Sequence, residues 1–241
     1  MSAQEHSLEL SSAPAPRFAP DGRPLGLVWT YTPREMLADS IVHVVGVSLG
    51  VIGAVALTIS AVLSKLSPAE TVAVGVYAAG LVAMLGTSAA YNMWPIGRTK
   101  WRLRRCDHAT IFLMIAGTYT PLVILVGTDG IAIGLLAGIW LVAVIGAAVK
   151  LTLPGRFDRL AIALYLALGW SGMMVYDSVI AALSPPALWL LAAGGLLYSL
   201  GVIFHVWRQL PFQNAIWHAF VLAAAACHYG AVFRSMLDVG A

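Results

Sequence analysis

The sequence predicts an all-α integral membrane protein, a bundle of seven transmembrane helices with its N-terminus cytoplasmic and its C-terminus external. Three observations carry this. The first is composition. Of 241 residues, 60% are hydrophobic and 10% are charged, against about a quarter charged in an ordinary soluble domain. The mean hydropathy is +0.84. So little polarity does not cover a globular surface, which excludes a cytosolic globular protein, a disordered chain and a nucleic-acid binder despite the formal net charge of +3.

The second observation is the pattern of apolar runs. Stretches free of Asp, Glu, Lys and Arg occupy 40–64, 71–97, 108–128, 130–149, 160–176, 178–207 and 209–233, each of 17 residues or more. A helix needs roughly 20 residues to cross a hydrocarbon core of about 30 Å, and it satisfies its own backbone groups in lipid. A membrane β-barrel would instead alternate in segments of about 10 residues. The third observation is charge asymmetry. With the N-terminus inside, the inner segments hold Arg17, Arg23, Arg34, Arg98, Lys100, Arg102, Arg104, Arg105, Lys150, Arg156, Arg159 and Arg208, and the outer segments only Lys65 and Arg234. That split follows the positive-inside rule for seven spans.

In chain order, residues 1–30 read as a flexible cytoplasmic tail, since 11–24 (SSAPAPRFAPDGRP) is proline-rich and aperiodic. Glu5 and Glu9 with no apolar core argue against a cleavable signal peptide. The membrane domain takes 31–241, with spans near 40–63, 70–92, 107–126, 130–150, 160–182, 187–207 and 215–237. The first opens beside Asp39, Ser40 and His43 and carries Gly46, Gly50 and Gly53 in line with the histidine, a stripe that lets a neighbouring helix approach. The second ends with Ser88 and Asn92, four apart and therefore on one face. The third opens with Asp107 and His108, and its Gly117–Thr118–Tyr119–Thr120–Pro121 predicts a kink with threonine hydroxyls taking up freed carbonyls. The fifth is read as one helix running through Asp177 to a loop at Ser184–Pro185–Pro186. The sixth aligns Gly194, Tyr198, Gly201 and His205, and the seventh opens with Asn214 and His218, again four apart. Trp94, Trp101, Trp207 and Trp217 suit interfacial anchoring. Cys106 and Cys227 make no disulfide framework.

Ionisable residues within spans are costly and mark functional sites. A lone His or Asn near a helix end is commonly interhelical glue. Here, however, Asp39, Ser40, His43, Ser88, Asn92, Asp107, His108, His205, Asn214 and His218 converge from five helices at one depth, in the cytoplasmic half. Asp177 and His228 fall outside this group and read as structural. The spacing predicts that Ser88, Asn92, Asp107, Asn214 and His218 line one cavity, with Asn92, Asp107, Asn214 and His218 able to satisfy one another by hydrogen bonds or to hold a water.

Four segments carry a resemblance: Glu35–Gly46 (EMLADSIVHVVG), Thr87–Asn92 (TSAAYN), Arg105–His108 (RCDH) running on to Gly117–Pro121 (GTYTP), and Arg208–His218 (RQLPFQNAIWH). Together they resemble the hemolysin III proteins, the bacterial branch of the progestin and adiponectin receptor (PAQR) family, and are similar to the wider superfamily that includes the alkaline ceramidases. The resemblance spans about residues 31 to 237. It implies a zinc site in which a Ser-x3-His ends the second helix, an Asp opens the third and a His-x3-His opens the seventh. Three histidines would bind the metal, with Ser and Asp close by; three protein ligands plus water is the open, catalytic arrangement, able to activate water for amide hydrolysis. Ser88, Asp107 and His218 keep this pattern, but the other two ligand positions are Asn92 and Asn214. An amide oxygen is a poor zinc ligand, so weak or absent zinc is expected at that position, unless His43, His108 or His205 substitutes.

The reading favoured is a metal-poor hemolysin III/PAQR-like protein of the bacterial inner membrane. Membrane lipids would be its partners, and its role would be lipid sensing or homeostasis through the polar cavity. The alternative is a zinc-dependent hydrolase of a lipid amide, with Ser88 and Asp107 as the catalytic candidates. A cytolytic, pore-forming role suits seven spans and no signal peptide poorly. Secondary transport would place the polar groups at the midplane rather than towards one face.

Overall fold

A computed structural model describes residues 19–20, 30–126, 130–153 and 155–240. The expected tail, 1–30, lies almost wholly outside the described residues. The helices are α1 (Pro33–Leu63), α2 (Pro68–Met93), α3 (Arg98–Val126), α4 (Gly130–Thr152), α5 (Asp158–Trp170), α6 (Tyr176–Ala182), α7 (Pro185–Val206) and α8 (Gln213–Gly240), with a 3-10 turn, Ser171–Val175, between α5 and α6. Among the described residues there are no strands. Counting α5, the turn and α6 as one crossing, seven segments are long and apolar enough to span a membrane. The protein is an all-α, seven-span membrane protein.

Helix starts follow local chemistry. Thr32 and Glu35 form a reciprocal capping box at α1, with Pro33 in the first turn, and Ser67 and Glu70 do the same at α2. These caps start α1 seven residues before the first charge-free run, because Arg34 and Glu35 lie in its solvated first turn. The α3 helix likewise takes in the basic segment from Arg98 onward. Pro185 and Pro186, expected in a loop, are the first residues of α7 after Ser184, where proline lacks only an amide that has no helical partner.

The bundle is organised around α3. Half of its span is buried inside the protein, against 17–33% for the others, so α3 is central and the rest face outward. One core joins α1, α2, α3 and α8 through Leu57, Val74, Tyr77, Leu81, Met114 and Met236. A second joins α3, α4 and α5 through Phe112, Ala116, Ile139, Ala143 and Leu168. The glycine stripe of α1 packs between α2 and α8, Gly50 on Leu85 and Gly53 on Tyr229, and that of α7 packs on α8, where Gly194 meets His228 and the Ala224 carbonyl. Large apolar side chains such as Leu63, Ile131, Met174 and Trp189 remain exposed on the outside, as a lipid-facing surface requires.

Two features of the crossings differ from expectation. The fifth is not one helix: it is broken by the turn at Ser171–Val175. The Tyr119 hydroxyl of α3 sits in the break, donating to the Leu168 and Gly169 carbonyls (3.1 and 2.9 Å) and accepting from Gly172 N (2.8 Å). Non-helical backbone at membrane depth is tolerated when protein groups satisfy it. The α3 helix runs unbroken through Pro121. Thr118 and Thr120 back-bond to Met114 O and Ala116 O at 2.9 and 2.8 Å, three residues and one residue short of the Gly117 carbonyl that Pro121 leaves without its amide.

Candidate functional site

The site grows from the first turns of α1 and α8. Asp39 and His43 are four apart on α1 and both buried, at 7% and 6% exposure. Glu35, besides capping α1, accepts from Phe212 N at 2.8 Å, which fixes the α7–α8 connection against α1. Gln213 accepts from the Tyr31 hydroxyl (3.3 Å) and donates to His205 O (3.0 Å). Burial raises the Tyr31 phenol above its ordinary value, so it remains a donor. These ties set Asn214 and His218, on the first turns of α8, facing Asp39.

Asp39 is the hub. Its Oδ1 lies 2.6 Å from His218 Nδ1, and its Oδ2 accepts from Asn214 Nδ2 at 2.9 Å. Asn214 Nδ2 also donates to Asn92 Oδ1 at 3.1 Å, and Asn92 Nδ2 donates back to Ser88 O at 3.0 Å. His43 lies over His218, ring centroids 4.3 Å apart. Its Nε2 is 3.5 Å from Asp39 Oδ2 but has no hydrogen-bond partner. Asp107, also buried, faces Ser88 and has His218, His43 and Arg104 as charged or ionisable neighbours.

The end of α2 is held by Lys100. This lysine, 1% exposed, donates to the carbonyls of Tyr91, Asn92 and Trp94 at 2.7, 3.0 and 3.0 Å. A cation on a helix C-terminus satisfies its last carbonyls and complements its dipole. Lys100 thereby fixes where Asn92 points.

A second charged group lies nearby. Asp158, at the start of α5, pairs with Arg104 (2.9 Å) and Lys150 (2.5 Å), and His108 Nδ1 stands 4.0 Å from it. His108 therefore turns towards α5, away from Asp39. His205 packs on Trp217, centroids 4.8 Å apart, and its Nδ1 is buried without a hydrogen bond.

The structure brings His43, Ser88, Asn92, Asp107, His108, His205, Asn214 and His218 to the wall of one cavity of about 550 Å³. The polar network differs from the one the sequence suggested. The sequence groups Asp107 with Asn92, Asn214 and His218 and places Asp39 only at the same depth; in the structure Asp39 is the carboxylate that bonds Asn214 and His218. Lys100 and Arg104, legible in the sequence only as inner-side basic residues, and Asp158, which no motif marks, also belong to the surroundings of the site. Asp39 lay in the first-span motif, four residues before His43, and that spacing was its available signal. The rest of the lining mixes apolar side chains, among them Met114, Ile115, Leu166, Val202 and Leu222, with polar ones such as Arg104, Asp158, Tyr198 and His228, the last read from the sequence as lying outside the group. It runs beside the fifth crossing, the most loosely packed of the seven.

Among the described residues, one set of His, Cys, Asp or Glu donors is close enough to share an ion: Asp39, His43 and His218, whose ligand atoms lie within 4.8 Å of one another. Two imidazoles and a carboxylate make a donor set that zinc accepts with a position left open, and the unpartnered Nε2 of His43 is consistent with it. Zinc is chemically admissible here. Asn92 and Asn214 are instead occupied with each other, with Ser88 and with Asp39.

Comparison with known proteins agrees with the motif reading. Residues 32–229 match the family model described as "Haemolysin-III related". The chain is 34% identical over 201 residues to "Hemolysin-3 homolog" of Bacillus subtilis (strain 168), covering 83% of this chain and 93% of that one. It is 33% identical over 205 residues to "Hemolysin-3" of Bacillus cereus, covering 85% and 93%. It is 31% identical over 183 residues to the human "Monocyte to macrophage differentiation factor", covering 73% and 76%. No solved structure matches it significantly.

Proposed function

This chain belongs to the haemolysin-III-related family, and on that premise we propose that it is a bacterial inner-membrane protein that binds a membrane amphiphile in its cavity and serves lipid sensing or homeostasis. One observation carries the reading: the cavity of about 550 Å³ joins a polar end, lined by His43, Asn214 and His218 with Asp39 bonded behind them, to a largely apolar wall along α5 and α7. A volume in the range of 300–1,000 Å³, mostly apolar with a few converging polar groups, is the usual form of a small-molecule site. A headgroup suits the polar end and an acyl chain the apolar wall. The cavity is tested by purifying the protein in mild detergent and identifying retained lipid by mass spectrometry. A stoichiometric amphiphile, lost when Val202→Trp fills the α7 wall, is the expected result. Equal lipid content in both proteins counts against it.

A second reading, hydrolysis of a lipid amide, is favoured by the grouping of Asp39, His43 and His218. A bound metal would supply an activated water. Asp107 and Ser88 border the same cavity, where they could hold a substrate carbonyl or pass a proton. Release of fatty acid from short-chain and long-chain amide lipids by the purified protein separates this from simple binding.

A further inference from the structure

We propose that Asp39, His43 and His218 form a divalent-metal site of the zinc type, and that Asn214 and Asn92 position the Asp39 carboxylate instead of binding the ion. The ligands then come from α1 and α8, and α2 contributes only support. The site does not depend on whether the cavity holds a lipid.

Three observations converge on this. The donors are present and buried: Asp39, His43 and His218 are each 9% exposed or less, and their ligand atoms lie within 4.8 Å of one another. His43 Nε2 is a buried imidazole nitrogen with no hydrogen-bond partner, 3.5 Å from Asp39 Oδ2; a metal gives it one. Charge is also short at this point. Asp39 and Asp107 are both buried carboxylates; the ion pairs of Asp39 are with His43 and His218, and Arg104, the arginine beside Asp107, is bonded to Asp158. Buried anions in a span need a counter-charge, and a divalent ion between α1 and α8 provides it.

The asparagines follow the logic of residues behind a metal ligand. Carboxylates that bind metals are themselves held by hydrogen bonds. Here Asn92 Oδ1 holds Asn214 Nδ2, and Asn214 Nδ2 holds Asp39 Oδ2. His108 and His205 are drawn elsewhere, to Asp158 and to Trp217, and are not ligands.

The test is metal content and affinity, read without any activity assay. The full chain is purified without chelator and analysed for metals, then stripped and titrated with zinc and with cobalt, whose visible absorption reports its ligands. The expected result is stoichiometric uptake by the unmodified chain. Asp39→Asn, which keeps the size of the side chain but removes its charge and one acceptor oxygen, should abolish it, as should His218→Ala. Asn214→Ala and Asn92→Ala should weaken it by about 10–100-fold, while His108→Ala and His205→Ala leave it unchanged. No uptake by the unmodified, folded chain overturns the site, as does an Asp39→Asn protein that binds like the original. Retained lipid without metal overturns this inference and leaves the proposed function standing; metal without lipid does the reverse.

Discussion

At the scale of single residues, the chemistry is set by what Asp39 meets. A carboxylate in a span is stabilised only where donors or a cation reach it, and here a histidine and an asparagine of α8 do so, with Asn92 of α2 behind them. This arrangement decides what histidines at the two asparagine positions would do. With Asp39 in place, Asn92→His with Asn214→His should leave the amount of bound metal unchanged, because it trades support for ligands. In an Asp39→Asn background the same pair should bring metal back, since His218 then gains two imidazole partners on α2 and α8. Zinc analysis of the four proteins checks this, and failure of the pair to bring metal back would show that α2 cannot reach the ion. Lys100 gives a second prediction. Lys100→Met strands the Tyr91, Asn92 and Trp94 carbonyls in a buried setting and should cost about 2–3 kcal/mol, seen as a lower thermal midpoint. Motifs pointed to His218, Ser88 and Asp107 as site residues. They did not show Asp39 as the hub, because its partners lie 175 and 179 residues away, and no local pattern encodes which of two carboxylates, Asp39 or Asp107, a helix packing will choose.

At the scale of elements, the apolar runs mark the seven crossings but not their internal breaks or true ends. Helix ends extend into charged segments, where capping boxes and basic turns continue the helix past the apolar run. The interruption at Ser171–Val175 depends on Tyr119, some fifty residues earlier, reaching across to satisfy the opened backbone. Tyr119→Phe keeps the ring and removes that hydroxyl, so it should cost about 1–3 kcal/mol and raise hydrogen exchange at 168–175 selectively. Uniform exchange with no such local change would mean that the break holds itself. Close packing of α7 on α8 supplies a further test. A Cβ at Gly194 would stand 2.3 Å from His228 Cδ2 and 3.2 Å from the Ala224 carbonyl. The ring can turn but the backbone oxygen is fixed, so Gly194→Ala should lower stability by about 1–3 kcal/mol.

At the scale of the whole molecule, an odd number of crossings places the two ends of the chain on opposite sides of the membrane, and the charges say which is which. Twelve of the fourteen Lys and Arg residues fall, by sequence, in the N-terminal tail and the first turn of α1, the α2–α3 and α4–α5 connections with their adjoining helix ends, and the α7–α8 connection. The hydrogen bonds of Glu35 to Phe212 and of Lys100 to the end of α2 place three of these basic regions at the same end of the bundle as Asp39 and His218. Under the positive-inside rule that end faces the cytoplasm, and the polar end of the cavity with it. Reporter fusions should therefore give a cytoplasmic signal at Gly97, in the α2–α3 connection, and an external signal after Ala241. The broken fifth crossing is the weak point of this expectation: if α5, the turn and α6 folded back without crossing, the count would fall to six and both fusions would report the same side. A matched pair of fusions before and after α5–α6, at Gly155 and Ser184, distinguishes the cases. Opposite signals there, with opposite signals at Gly97 and Ala241, fix seven crossings and put the Asp39 cluster within reach of cytoplasmic metal and of inner-leaflet lipid.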